Sequence, residues 1–169
     1  CLDRAEKLLR QTVNDRKLID LMAGKKGYAE IPFMTTALCG IEFRGVMDRI
    51  FKNPETGLWS IIDWKSNEIR GKDPDQVIVE NGYDMQLAFY KWALEKILNE
   101  KVDKQYIYFL CQGELRECNW QGDPLNIFAG ITTEVSAIEN NSECLRSATI
   151  KKNKGPECRF CGYNNSLCI

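Results

Sequence analysis

The stretch GVMDRIFKNPETGLWSIIDWK, which runs from Gly45 to Lys65, decides the fold of this chain. Its middle, NPETG at 53–57, is a strong turn signal because it combines proline and glycine with short polar residues. Mostly apolar runs flank the turn and predict strands over 41–51 and 58–64. The second run is almost continuously apolar, so we expect that strand to be buried on both faces.

Two acidic residues and a lysine fall at one end of this predicted hairpin. With the turn centred near Glu55, Asp48 lies opposite Ile62 or Asp63, and opposed residues have Cβ atoms about 4.5–5.5 Å apart. Lys65 lies two residues beyond Asp63 and therefore shares its face of the strand. The sequence predicts that the three charged side chains converge.

Such a cluster predicts metal-dependent hydrolysis of a phosphodiester. Two close carboxylates repel unless a cation lies between them, and Mg²⁺ is typically held by one or two carboxylates plus substrate phosphate. The ion would polarise the phosphate and lower the pKa of a bound water, while Lys65 would orient that water or stabilise the developing charge. The competing interpretation is a set of surface ion pairs. It is disfavoured because Asp63 follows Ile61 and Ile62 in a buried strand, where an unpaired charge is costly.

The rest of the chain supplies helices and strands around the hairpin. Apolar spacing and turn signals predict, in order, a helix over 2–22 that is interrupted near 14–15, a strand over 28–33, a mobile polar loop over 66–82, a helix over 83–98, strands over 105–111 and 114–120, and a helix over 124–138. Asp123 is the expected N-cap of the last helix, with Pro124 in its first turn. The order predicts an α/β fold in which one mixed central sheet is flanked by helices.

Bulk composition limits the possible classes of protein. The 169 residues, 44% hydrophobic and 28% charged, carry a net charge of −1, so the chain is not a basic nucleic-acid coat. We predict one domain over 1–169, with its core at about 28–120 and a C-terminal helix and cysteine tail at 123–169. No membrane span or signal peptide is visible, which predicts a cytoplasmic protein. A start at Cys1 rather than methionine is compatible with a fragment of a longer protein.

Histidine is absent and cysteine is abundant. Without histidine, Ser-His-Asp, Cys-His and His-ligated zinc chemistry are excluded. Among the eight cysteines, three in apolar or alternating segments are expected to be core thiols in a reducing cytosol: Cys39, Cys111 and Cys118. Three others crowd the C-terminal tail and predict a metal clamp: Cys158, Cys161 and Cys168. Zinc or an iron–sulfur cluster needs a fourth ligand, for which Cys144 is close in sequence.

Four short motifs, taken in order, resemble those of the PD-(D/E)XK nucleases of the RecB type. They are EIPF at 30–33, GVMDRI at 45–50, DWK at 63–65 and Gln86-x-x-x-Tyr90. That group includes the nuclease domains of RecB, AddA and AddB, CRISPR-associated RecB-like exonucleases and many phage exonucleases. The resemblance implies a restriction-endonuclease-like fold and a bacterial or phage-infected cell as the setting.

The resemblance also implies roles for individual residues. Asp48 and Asp63 would hold Mg²⁺ or Mn²⁺ together with the backbone carbonyl of Trp64, and Lys65 would be the catalytic lysine. Glu30 would assist the metal site, unless it is only a solvated strand acid.

The helix motif implies contacts with the substrate. Gln86 and Tyr90 are four residues apart, so they share a helix face and would line the site and contact DNA. Many relatives carry a metal-ligating histidine on the first helix. This chain has none, so Glu6 or Glu30 would have to substitute.

In AddB-type and CRISPR-associated relatives, a cysteine upstream of the nuclease core joins three at the C-terminus around a [4Fe–4S] cluster. The resemblance thus implies a cluster held by Cys158, Cys161, Cys168 and Cys1, with Cys144 as the alternative fourth ligand and zinc as the alternative metal. Such a cluster would join the two chain ends.

The function predicted from these motifs is a metal-dependent DNA nuclease. An exonuclease acting on single-stranded or duplex ends, in recombination and repair or in phage DNA processing, fits better than a sequence-specific endonuclease. The alternative is a catalytically weakened DNA-binding module with the nuclease fold that partners a helicase or recombination complex. A weaker third possibility is a zinc-ribbon nucleic-acid binder. No membrane partner is expected.

Overall fold

The computed structural model describes residues 2–37, 40, 42–69 and 71–139. The chain divides into two compact units, Cys1–Phe128 and Ala129–Ile169. The first unit contains the sheet and the predicted catalytic residues, and it is the unit described below. The prediction of a single domain over 1–169 stays a prediction, and the cysteine tail lies outside the described residues.

The described residues form ten elements. In chain order they are α1 (Leu2–Val13), α2 (Arg16–Met22), β1 (Lys26–Thr36), β2 (Glu42–Lys52), β3 (Trp59–Lys65), α3 (Pro74–Glu80), α4 (Tyr83–Leu98), β4 (Val102–Phe109), β5 (Glu114–Glu117) and α5 (Pro124–Glu139). The five strands form one sheet in the order β1-β2-β3-β4-β5. Among these described strands only the β3–β4 pair is parallel, so the predicted mixed sheet flanked by helices is confirmed.

The central hairpin adopts the predicted register. Arg49 pairs with Ile62 and Ile50 with Ile61, so the next position along the two strands places Asp48 beside Asp63. The turn closes through two backbone bonds, from Asn53 N–H to the Leu58 carbonyl and from Gly57 N–H to the Asn53 carbonyl.

Strand β3 lies at the centre of the sheet and is buried on both faces, as predicted. On one face its side chains pack with α4, in a cluster that includes Ile61, Leu87 and Phe109. On the other face Ile62 packs with Tyr108 and with Leu18 of α2. Because β3 and β4 are parallel and joined through α3 and α4, their carboxyl ends lie side by side, with α4 running over them.

The predicted loop over 66–82 is partly wrong, because it contains helix α3. Asp73 caps this helix by accepting a hydrogen bond from the Asp75 N–H, and proline occupies the first turn. This is the same Asp-Pro start that predicts α5. Val77 and Ile78 are buried and anchor the helix. Smaller corrections concern β1, which is longer than 28–33, and β5, which ends at Glu117 and not at 120. No helix within the described ranges is long and apolar enough to cross a membrane.

Tyr108 links the sheet to the N-terminal helices. Its ring is fully buried, and its hydroxyl donates a 2.8 Å hydrogen bond to Oδ2 of Asp15, whose other oxygen caps α2. Burial, together with this aspartate, raises the pKa of Tyr108 to about 12, so the hydroxyl stays protonated at neutral pH.

We therefore expect Tyr108→Phe to lower the free energy of unfolding by about 1–3 kcal/mol, because it removes a donor from a partly buried carboxylate. Urea denaturation measures the loss. The matched control is Tyr28→Phe, at a tyrosine that is 42% exposed, where little change is expected. Equal losses in the two variants would mean that the Tyr108–Asp15 bond contributes nothing specific.

Candidate active site

Asp63 and Asp48 lie together at the end of the central hairpin. Asp63 is only 3% exposed, while Asp48 is half-buried. At this end of the hairpin the last backbone pair between β2 and β3 is Arg49 with Ile62. Beyond that pair, the Trp64 N–H donates a 2.8 Å hydrogen bond to Oδ2 of Asp48. The Asp48 carboxylate thus takes a strand amide as its donor, which fixes it next to Asp63.

Lys65 is held beside the Asp63 carboxylate by three contacts. Its Nζ lies 2.8 Å from Oδ2 of Asp63 and donates a 2.8 Å hydrogen bond to Oε1 of Gln86. The same ammonium sits 4.1 Å from the ring centroid of Tyr83, within the range of a cation–π contact. This enclosure fixes a charged group that would otherwise be highly flexible.

Side chains of helix α4 cover the site. Gln86 Nε2 donates to the Tyr90 hydroxyl at 2.9 Å and, more weakly, to Oδ1 of Asp63 at 3.4 Å. Tyr83, Gln86 and Tyr90 follow an i, i+3, i+7 spacing and therefore share one face of the helix. Tyr83 is not among the sequence-predicted site residues, although this spacing is a signal that could have identified it.

Burial is the dominant electrostatic influence on the site. It raises the pKa of Asp63, and the negative charge of Asp48 raises it further, while the bond and charge of Lys65 act in the opposite direction. Burial also raises the pKa of Tyr83 and of Tyr90, and the charge of Asp63 adds to both shifts. The Gln86 hydrogen bond partly offsets the shift at Tyr90.

One oxygen of Asp63 is suited to a metal ion. Oδ2 is buried and, despite the close Lys65 ammonium, accepts no hydrogen bond of acceptable geometry from the described residues. A buried carboxylate beside a second carboxylate fits a hard divalent cation. Within the described ranges no group of three or more acidic, cysteine or histidine side chains could hold a metal. Water, a carbonyl such as that of Trp64, and substrate phosphate would have to complete the coordination sphere.

The structure does not join Glu30 or Glu6 to this cluster. Glu30 lies opposite Asp48 in the β1–β2 register, between the paired positions Ala29 and Ile31. However, it is exposed, adopts a left-handed φ of 51° and forms no hydrogen bond or ion pair with the described site residues. A left-handed backbone at a residue other than glycine costs about 1–2 kcal/mol. Glu6 pairs instead with Arg10 on the exposed surface of α1.

The cysteine predictions are tested only in part. Cys118 is a buried free thiol, as expected, and burial raises its pKa to about 12. Cys111 is free and half-buried, and its Sγ contacts the Ser66 carbonyl at 3.2 Å. The remaining cysteines lie outside the described residues: Cys1, Cys39, Cys144, Cys158, Cys161 and Cys168.

Gly45 gives the aromatic rings beneath the site the space they need. A Cβ at this position would lie 3.0 Å from two atoms of the Phe33 ring and 3.6 Å from the Tyr90 ring. Phe33 in turn packs edge-on against Tyr90, with ring centroids 5.7 Å apart. A side chain at 45 would therefore displace the ring that supports Tyr90.

We expect Gly45→Ala to lower the free energy of unfolding by about 1–3 kcal/mol through overpacking and to reduce any activity that depends on Tyr90. Thermal unfolding measures the first effect. The control is Gly130→Ala in α5, where an added Cβ meets no atom within 4 Å. There alanine should stabilise the helix by up to about 1 kcal/mol. A neutral Gly45→Ala variant would show that the Phe33 ring moves aside freely.

Comparison with known proteins places this arrangement in a family. A family model of the PD-(D/E)XK nuclease superfamily matches residues 2–168. Over 129 residues, 67% of this chain and 10% of the relative, the chain is 29% identical to an ATP-dependent helicase/nuclease subunit of Clostridium perfringens (strain 13 / Type A). Over 83 residues, 44% of this chain and 7% of the relative, it is 30% identical to the protein of the same name from Listeria monocytogenes serotype 4b (strain F2365). The chain thus spans about a tenth or less of the length of these relatives.

The fold is also found among solved structures. The crystal structure of SSO0001 superposes with a TM-score of 0.54 and covers 99% of this chain and 79% of that chain, at 14% sequence identity. At this identity the similarity establishes the fold alone. The family assignment rests on the sequence: because the match runs from residue 2 to residue 168, this chain belongs to the PD-(D/E)XK nuclease superfamily.

Proposed function

We propose that this chain is a nuclease domain that hydrolyses DNA with the help of Mg²⁺ or Mn²⁺. The observation that carries the proposal is the carboxylate of Asp63, which is only 3% exposed, lies beside Asp48 and has the Lys65 ammonium 2.8 Å from its Oδ2. The single Lys65 ammonium balances only one of the two carboxylates, so the cluster keeps a negative charge that a divalent cation would neutralise.

In this mechanism Asp48 and Asp63 would hold the ion, together with the Trp64 carbonyl. The bound ion supplies polarisation of the scissile phosphate and a lower pKa for a coordinated water. Asp63, Gln86 and Tyr83 hold the Lys65 ammonium in place, so it is preorganised to stabilise negative charge on the phosphate.

The helix residues orient the lysine and the substrate. Gln86 accepts from Lys65 and donates to Tyr90, so the amide fixes both side chains at once. The Tyr90 hydroxyl is then presented at the site, where it contacts the DNA strand. Glu30 is still proposed to assist the metal site, and its side chain would have to turn toward Asp48 to do so.

The relatives support an end-acting enzyme that works with a helicase. They are helicase/nuclease subunits by name, and a helicase presents single-stranded ends to a nuclease. We infer an exonuclease on single-stranded or frayed duplex ends, in recombination and repair or in phage DNA processing. The cysteine tail, whose support is the sequence motif alone, is proposed to hold a [4Fe–4S] cluster, with zinc as the alternative. Iron, sulfide and zinc analysis of the purified protein separates the two.

Cleavage of labelled DNA tests this function. Linear single-stranded and duplex DNA, labelled at one end, and circular single-stranded DNA are incubated with Mn²⁺, with Mg²⁺ or with EDTA. We expect metal-dependent shortening of the linear strands, while the circle stays intact. Cutting of the circle would make the enzyme an endonuclease. Binding without cutting, in folded and metal-loaded protein, would favour the weakened DNA-binding module.

A further inference from the structure

We propose that a second cavity, beside α4 and away from the catalytic carboxylates, binds a single nucleobase. We call it the side cavity. Its volume is about 250 Å³, and its walls come from α4, from β4 and from the segment that follows β5. The residues that the argument uses are Lys91, Trp92, Glu95, Gln105 and Trp120. This volume is below the ~300–1,000 Å³ typical of sites for drug-sized ligands and suits one flat ring system.

Gln105 gives the side cavity an unused hydrogen-bond acceptor. The residue is only 6% exposed, and its Oε1 accepts no hydrogen bond from the described residues. A buried carbonyl oxygen without a donor is unfavourable, so a ligand that donates a hydrogen bond to it would gain affinity. The exocyclic amines of adenine, cytosine and guanine are donors of the right kind.

Two tryptophans give the side cavity aromatic walls. A Cβ at Gly122 would clash with the nearest atom of the Trp120 ring, so glycine is the residue that lets that indole pack against the backbone. Trp92 rests on Phe128 and Phe43, with ring centroids 5.0 and 6.2 Å away. The Lys96 ammonium lies 5.2 Å from the centroid of the Trp92 ring, whereas Trp120 makes no ring contact with the other described aromatic residues, so Trp120 is the ring proposed to stack on the base. Bases of any sequence stack on such rings.

The charges around the side cavity suit a nucleotide. The Glu95 carboxylate already has partners within the protein: it accepts a hydrogen bond from the Val102 N–H at 3.0 Å and lies 3.9 Å from the Lys101 ammonium. Lys91 forms no ion pair with any described residue, so its ammonium is available for a phosphate. Lys91 directly follows Tyr90 of the catalytic site, so one strand held at both places would pass around α4.

This inference rests on the proposed function in one respect, since the base is taken to belong to the DNA substrate. A free nucleotide carries the same ring and phosphate. The test therefore includes both sources: a short labelled oligo(dA) strand, the same strand with abasic residues, and dAMP as a competitor. Binding is measured by fluorescence anisotropy in the full chain carrying Asp63→Asn, so that the probe is not cut.

We expect the base-bearing strand to bind more tightly than the abasic strand. Trp120→Leu should weaken binding of the base-bearing strand about tenfold, because base stacking on an aromatic ring is of that size, and should leave abasic binding unchanged. Trp120→Phe, which keeps a ring, should retain most of the affinity. Lys91→Met should weaken both strands, whereas Lys17→Met, at an exposed position of α2 away from the cavity, should weaken neither by more than about twofold. Displacement of the strand by dAMP would assign the cavity to free nucleotides, and no displacement would assign it to the strand.

Equal binding of base-bearing and abasic strands, or equal effects of Trp120→Leu on both, would overturn the proposal. The two proposals can fail separately. If the wild type cuts DNA but the base-bearing and abasic strands bind equally well, only the side-cavity proposal is overturned. A protein that binds the base through Trp120 yet cuts nothing supports the side cavity and counts against the nuclease proposal. Because Lys91 is on the surface of α4, its variant keeps the test valid if Trp120→Leu does not fold.

Discussion

Replacing Asp63 with asparagine is expected to lower the rate of metal-dependent DNA cleavage by about a thousandfold or more. Asparagine has the same shape, so the packing of β3 is kept, but it removes the negative charge and the free carboxylate oxygen that would hold the ion. Initial rates on end-labelled single-stranded DNA measure the loss. The matched control is Asp103→Asn, at an exposed position on the neighbouring strand β4, which should leave the rate unchanged.

The same substitution should not destabilise the metal-free protein. Burial raises the pKa of Asp63 above its ordinary value of 3.8, so the folded state binds the proton more tightly than the unfolded chain does. Ionisation of the buried carboxylate therefore destabilises the folded state, and this loss of stability develops as the pH rises through the raised pKa. We expect Asp63→Asn to be as stable as the wild type at low pH, where both side chains are neutral, and at least as stable at neutral pH.

Thermal unfolding with and without Mn²⁺ completes this test. The wild type should gain stability from the ion, since a ligand of the folded state stabilises it, and Asp63→Asn should not. A variant that is less stable at neutral pH and still cuts DNA would make Asp63 a structural residue. That result would return the site to the simpler interpretation of an ion pair on a hairpin.

How much the sequence could predict depends on how local each feature is. The convergence of Asp48 and Asp63 follows from one turn and a two-residue alternation, and the structure confirms it. The position of α4 over the site follows from its Gln86-x-x-x-Tyr90 motif. Helical spacing places Tyr83 on the same face as Gln86 and Tyr90 and could have identified it as a site residue, but spacing does not show that the Lys65 ammonium lies over its ring.

Other differences arise from competing local signals. Helix α3 escapes prediction because glycines and polar residues around it indicate a loop, although Asp73 and the following proline are a helix start. The position of Glu30 is not predictable either. Its left-handed φ of 51° is a departure from extended backbone that the strand pattern does not reveal. Strained backbone of this kind concentrates near functional sites, and here it lies opposite Asp48.

Lys65→Met should separate catalysis from metal binding. Methionine fills the space of the lysine stem but has no charge, so we expect cleavage to fall by about 10²–10³-fold through loss of charge stabilisation at the phosphate. Affinity for Mn²⁺, measured by calorimetry, should be equal or higher, because no ammonium competes at Oδ2 of Asp63, which Lys65 approaches to 2.8 Å. Lys104→Met, at an exposed lysine of β4 paired with Glu117, is the matched control.

The metal-free stability of Lys65→Met adds an independent criterion. Lys65 lowers the pKa of Asp63 against the effect of burial, so its removal should raise that pKa further. Metal-free Lys65→Met should therefore lose stability between acid and neutral pH, whereas Asp63→Asn should not, and Mn²⁺ should restore the loss. Weaker Mn²⁺ binding in Lys65→Met would contradict this account, because it would mean that the lysine supports the metal site rather than competing with the ion. The two variants thus differ in their metal-free pH response, and the recovery of stability with Mn²⁺ is the result that a purely structural ion pair would not produce.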